Sequence, residues 1–128
     1  MNANDVTSTR FHDPSSDALK VVLMMYDGSI DYLNKAIEFA DVGDTKTKNV
    51  YTHMANDIII ELDKAVDLAS GGDISLNLKK LYSFMNRHLI QAVQNENIQG
   101  LKNVKRILSD LRDSWQYVDD VMQNEMPV

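Results

Sequence analysis

From Asp17 to Met122 the apolar residues recur at spacings of three and four, the period of helices that bury one face. In the first stretch, Leu19, Leu23, Tyr26, Ile30, Leu33, Ile37 and Ala40 follow this rule without a break. Met54, Ile58, Leu62, Ala65 and Ala69 form the stripe of a second stretch, and Ile74, Leu78, Leu81, Met85, Leu89 and Ala92 that of a third. Leu101, Val104, Leu108, Leu111, Trp115, Val118 and Met122 complete a fourth. No strand-like alternation interrupts them, and the two prolines, Pro14 and Pro127, stand outside the periodic region.

The punctuation between the stretches sets their bounds. Asp17 is placed to cap the first helix and Asp44 the second, because a carboxylate can accept from the free N–H groups of a first turn. Gly43 suits a helix end, where the left-handed conformation costs glycine little. Gly71-Gly72 is expected to end the second helix, with Asp73 capping the third, and Asn95-Glu96-Asn97 separates the third from the fourth. Gly100 weakens the start of the fourth helix. The second helix opens with two polar, Thr-rich turns, which favours fraying at that end. The pattern predicts helices over 17–41, 45–69, 74–95 and 98–122 within a body of 17–123. Before it lies a flexible arm, 1–16, with room for a short extra helix, and after it a tail, 124–128. Short loops force antiparallel neighbours, so the expected architecture is an all-α, up-down four-helix bundle.

Each helix carries more apolar surface than one core seam uses. Val21, Met25, Gly28, Tyr32 and Phe39 form a second row on the first helix. Ile58, Ile59 and Ile60 are consecutive and point in directions about 100° apart. Tyr82, Phe84 and Val93 lie off the third stripe and Ile107 off the fourth. Wide apolar faces are ordinary in bundles. Surplus rows on adjacent helices nevertheless suggest a groove for a partner, and seven methionines suit an adaptable apolar surface.

At 128 residues one domain is expected, and 44% apolar composition excludes wholesale disorder. A net charge of −6 disfavours a phosphate backbone as partner, so no nucleic acid is expected; local positive charge on the fourth helix, at Lys102, Lys105, Arg106 and Arg112, could steer an acidic partner. The chain has no cysteine, and therefore neither a disulfide framework nor a thiolate nucleophile. No apolar run approaches the roughly 20 residues that span a bilayer, so membrane insertion is not expected either. With a polar N-terminus unlike a signal peptide, the chain reads as cytoplasmic. His53 and Asp57 are spaced as two metal ligands, but two make a poor site, and no cofactor motif occurs. Histidine phosphotransfer bundles present His-x-x-Lys-Gly; His53 is followed by Met-Ala-Asn-Asp and His88 by Leu-Ile-Gln-Ala, so neither fits. No enzymatic chemistry is expected.

Four segments together carry a resemblance. They are Leu23-Met24-Met25-Tyr26-Asp27-Gly28; Ile58-Ile59-Ile60-Glu61-Leu62 with Gly71-Gly72; Leu81-Tyr82-Ser83-Phe84-Met85-Asn86-Arg87-His88-Leu89; and Leu108-Ser109-Asp110-Leu111-Arg112-Asp113-Ser114-Trp115. In order and spacing, over roughly residues 19–117, they resemble the flagellar secretion chaperone family, FliS. The resemblance implies a chaperone that binds the disordered C-terminal segment of flagellin, blocks premature polymerisation and keeps the cargo competent for type III export. A component of the flagellar export gate is a further implied partner, and a monomer or weak homodimer the expected state. Tyr26, Leu81, Tyr82, Met85, Leu111 and Trp115 match recurrent family positions and read mostly as scaffold. The off-stripe residues Met25, Tyr32, Ile60 and Phe84 are the candidate cargo contacts. Asp27 with Asn86 or Arg87 is expected to form a polar link between the first and third helices. The chain departs from the family at its start, with Ser15-Ser16-Asp17-Ala18 in place of Thr-x-Ser-Pro and Phe11 where the arm usually carries a tyrosine. Phe11 is the candidate to cover the groove when cargo is absent. The competing readings are a helical adaptor of another export or regulatory pathway and, against the missing motif, a phosphotransfer bundle.

Overall fold

A computed structural model describes residues 16–95 and 98–125; Phe11 and the rest of the expected arm before Ser16 lie outside the described residues. Four helices follow one another: α1 (Ser16–Asp41), α2 (Thr45–Lys64), α3 (Leu68–Asn95) and α4 (Ile98–Glu125). The protein is all-α, with no strand among the described residues. Helix α1 packs against α2 and α4, and α3 closes the ring by meeting those same two helices less extensively. This is the ring expected of an antiparallel four-helix bundle with short connections.

The α1–α2 turn shows how local chemistry fixes the topology. Gly43 has φ 79°, its N–H bonds to Ala40 O at 3.1 Å, and Asp44 N–H reaches back to Phe39 O at 2.9 Å. These two bonds satisfy the last carbonyls of α1 and turn the chain. The Asp44 carboxylate then accepts from Thr47 N at 3.1 Å and caps α2. The Thr47 side chain, and after it that N–H, hold the Asp44 carboxyl below its ordinary pKa, because hydrogen-bond donors favour the charged form. Asp17 is not a cap: α1 begins at Ser16 and Asp17 lies inside the first turn, where its charge still complements the helix dipole.

The core is formed by Val22, Tyr26 and Leu33 of α1, Ala55, Ile59 and Leu62 of α2, Tyr82, Met85 and Leu89 of α3, and Leu101, Val104 and Leu108 of α4. On α4 this follows the expected stripe; on α1 it does so at Tyr26 and Leu33, while Val22 and Ala36, outside that stripe, are buried as well. On α2 it does not. The buried face is Lys48, Thr52, Ala55, Asn56, Ile59 and Leu62, whereas Met54, expected inside, is 37% exposed. The polar first turns are thus packed. Lys48, 2% exposed, donates through Nζ to Ala92 O at 2.8 Å, and Thr52 Oγ1 donates to Lys48 O at 2.8 Å. The Lys48 ammonium meets the C-terminal end of α3, where the last carbonyls carry partial negative charge and offset its desolvation.

The α2–α3 boundary also differs from the expected one. Helix α2 stops at Lys64 rather than Ala69, and α3 starts at Leu68. Gly72, with φ 56° and ψ −134°, breaks the first turn of α3 from its main body instead of terminating α2. Only glycine adopts that conformation without strain. Beyond the break, Tyr82, expected off the core stripe, is 2% exposed, while Ile74, expected on it, is 71% exposed. In the first half of α3 the inner face is thus shifted by one position, to Ser75 and Tyr82, whereas Met85, Leu89 and Ala92 are buried as the stripe predicts.

Candidate functional site

Beneath the surface of α3 runs a polar thread through the core. Trp115 Nε1 donates to Tyr26 Oη at 3.2 Å, and the Tyr26 and Tyr82 hydroxyls are 2.5 Å apart. The thread joins α4, α1 and α3. Burial pushes the pKa of both tyrosines upward, and for Tyr82 the neighbouring Tyr26 and the Asp63 charge push the same way. Both hydroxyls therefore stay protonated, and the thread is structural.

Tyr82 also lines a cavity of about 200 Å³ between α2 and α3, shared with Ile59, Ile60, Asp63, Ser83 and Asn86. Asp63 Oδ1 is shut off from solvent without a hydrogen bond among the described residues; Lys79 Nζ pairs with it at 3.5 Å. Asn86 Nδ2 donates to Asn56 Oδ1 at 3.0 Å and ties α3 to α2 above the cavity.

Ser83 is common to this cavity and to a larger, open groove of about 780 Å³, lined by Asn77, Lys79, Lys80, Leu81, Phe84 and Arg87 as well. Phe84 is 37% exposed, and its ring lies against His88 with centroids 3.9 Å apart. His88 Nδ1 is 3.1 Å from Phe84 O, a hydrogen bond when that nitrogen carries the proton. The contact holds the aromatic ring up at the surface. Ile74 and Leu76, 71% and 45% exposed, extend the apolar strip towards the start of α3. Ile74, Leu81 and Phe84 share one face, at spacings of seven and three.

The structure separates the expected contact residues. Ile60 and Phe84 line the two adjoining spaces on the α2–α3 side. Met25 and Tyr32 instead pack against the core. Tyr32 stands 6.1 Å from Tyr51, which stacks on Phe39 at 5.7 Å, so much of the surplus row on α1 is its contact with α2. The expected α1–α3 polar link is not the one made. Asp27 pairs with Arg112 of α4, Nε to Oδ1 at 2.9 Å, because α1 adjoins α4 and lies diagonal to α3. Asn86 bonds to Asn56, and Arg87 lines the open groove. Sequence reasoning missed Lys79, Lys80 and Ser83. One signal was available: from Ile74 to Asn95 the chain has Lys79, Lys80 and Arg87 and not a single Asp or Glu, although the whole carries −6.

Among the described residues no three His, Cys, Asp or Glu side chains gather to hold a metal. No helix among them is long and apolar enough to cross a membrane. A bundle with a complete core of its own that still presents an apolar strip has the form of a binding protein. The chain belongs to the FliS family, whose model, described as flagellar protein FliS, matches residues 12–122. It is 30% identical over 105 residues to the flagellar secretion chaperone FliS of Salmonella typhimurium, covering 81% of this chain and 78% of the relative. The protein of the same description from Vibrio cholerae is 30% identical over 105 residues, covering 82% and 77%. That from Bacillus subtilis is 28% identical over 97 residues, covering 76% and 71%. The family is one of secretion chaperones and not of enzymes.

Proposed function

We propose that this protein is a flagellar export chaperone that binds the disordered C-terminal segment of flagellin, keeps it from polymerising early and holds it ready for export. The observation that carries the reading is the open strip of Leu81 and Phe84 on a bundle whose core is already filled. A disordered amphipathic segment needs such a surface to offset the entropy of folding onto it. An apolar groove that takes the buried face of a helix is the ordinary means. Release follows from the same design, because the strip is open and polar-rimmed rather than enclosed.

The test is calorimetric titration of the full chain with the last roughly 40 residues of the flagellin of its own organism, a length suited to a segment that folds on binding. Saturable 1:1 binding, a negative heat-capacity change and a gain of helix are expected. Phe84→Ala should weaken the interaction about tenfold or more, since a central aromatic anchor typically carries over 1 kcal/mol. Absence of binding to that segment sinks the reading.

A further inference from the structure

The exposed strip on α3 lies in the longest stretch of the chain without a negative charge. Between Ile74 and Asn95 there are three cations and no acid, over more than 20 residues of a protein with net charge −6. Lys79 is already committed to Asp63. Lys80 and Arg87 are exposed and make no ion pair with a described residue. They stand four residues before and three after Phe84, so all three share one face of the helix, with the aromatic ring between the two charges. At 1.5 Å per residue the two cations are about 10 Å apart along the axis. A surface made only to exclude water from an apolar partner has no need of this arrangement, and a solvated helix face would normally mix both signs.

We infer that this groove selects an acid-flanked helical segment, with a carboxylate at each end of an apolar anchor and the two about seven residues apart, one meeting Lys80 and the other Arg87. The inference rests on the proposed cargo reading and adds to it the charge pattern by which the cargo is recognised. Seven residues on a partner helix span the same 10 Å, with the anchor falling one turn from each carboxylate. The charges supply register and orientation, while Phe84 and Leu81 supply the apolar contact.

The experiment uses the full chain with three probes: the C-terminal flagellin segment, a synthetic helical peptide with Glu at positions i and i+7 around a central Leu, and the same peptide with Lys at both positions. Each is titrated against the wild type, Lys80→Glu/Arg87→Glu and the conservative Lys80→Arg/Arg87→Lys, at low and high salt. Circular dichroism and thermal melts confirm that the variants fold; both side chains are exposed, so their melting should match the wild type. The expected result is that the Glu peptide and the flagellin segment bind the wild type and the conservative variant alike. Charge reversal should weaken both by about tenfold, as should salt high enough to shrink the screening length to about 3 Å. The Lys peptide should bind at least tenfold more weakly to the wild type and gain on charge reversal. Equal binding of the Glu and Lys peptides overturns the inference. So does a flagellin segment that binds indifferently to reversal and to salt, although the cargo reading would then survive. Binding of the Glu peptide without binding of the flagellin segment would uphold the charge selection and overturn the cargo reading.

Discussion

Tyr26→Phe removes one oxygen atom from the centre of the bundle. Tyr26 is fully buried and Tyr82 is 2% exposed, so the substitution strands the Tyr82 hydroxyl and takes the acceptor from Trp115 Nε1. Trp115 is half-buried and can turn to water, so its share is small. A buried hydroxyl left without a partner costs about 1–3 kcal/mol. The cavity beside Tyr82 is polar and large enough to admit a water, which moves the expectation to the low end, about 1.5 kcal/mol. For a chain of this length that is a fall in Tm of roughly 5 °C. Tyr82→Phe should cost a similar amount. The double variant should lose about 1 kcal/mol less than the sum of the singles, because deleting both hydroxyls leaves neither stranded. Urea unfolding at neutral pH, followed by circular dichroism, measures all three differences. If Tyr26→Phe unfolds within about 0.3 kcal/mol of the wild type, or the two losses simply add, the thread does not join the helices as described.

The same tyrosines govern alkaline stability. Each has its pKa raised above 10.0 in the fold, so the folded chain keeps protons that the unfolded chain has lost. Stability should be intact below about pH 10 and fall above it by up to about 1.4 kcal/mol per pH unit for each tyrosine; Tyr82→Phe should make the fall shallower, as urea titrations from pH 9 to 11 would show. Asp27→Ala should cost no more than about 0.5 kcal/mol, because Asp27 and Arg112 are 51% and 32% exposed and screened; a loss above about 1.5 kcal/mol in denaturant titration would contradict this. Gly43→Ala should destabilise by about 1 kcal/mol and Gly43→Asn by less, since φ 79° suits asparagine better than alanine; equal melting of the two variants would contradict it.

What the sequence disclosed follows from which physical signal each element carries. Helices α1 and α4 bury plain apolar stripes, so Leu33, Leu101, Val104 and Leu108 were legible as core from spacing alone. Helix α2 hides its inner face because part of it is polar: Lys48, Thr52 and Asn56 enter the bundle on hydrogen bonds to α3 and to their own helix, and no hydrophobic period can reveal them. The shift in the first half of α3 follows from the same cause, since its inner face there includes Tyr82, whose hydroxyl finds a partner only in three dimensions. Phe84 was readable as a surface residue because nothing on its face of the helix called it inward. Met25 and Tyr32 looked equivalent to it, and only the close approach of α1 to α2 tells them apart. Asp27 shows the remaining limit: a charge can be recognised in sequence, but its partner depends on which helices are neighbours.

Helix α3 is the member of the ring with the least extensive packing, and Gly72 interrupts its first turn. Elements held this way open first, and their backbone amides exchange with solvent sooner than those of the rest of the molecule. The surface proposed to receive cargo is therefore carried by the least protected helix. A segment lying along Leu81 and Phe84 would supply packing that the other three helices leave unmade, so the bound chaperone should exchange more slowly in α3 while the amides of α1 and α4 change little. The chaperone and its cargo would then each order the other, and the departure of one would leave the other looser than before.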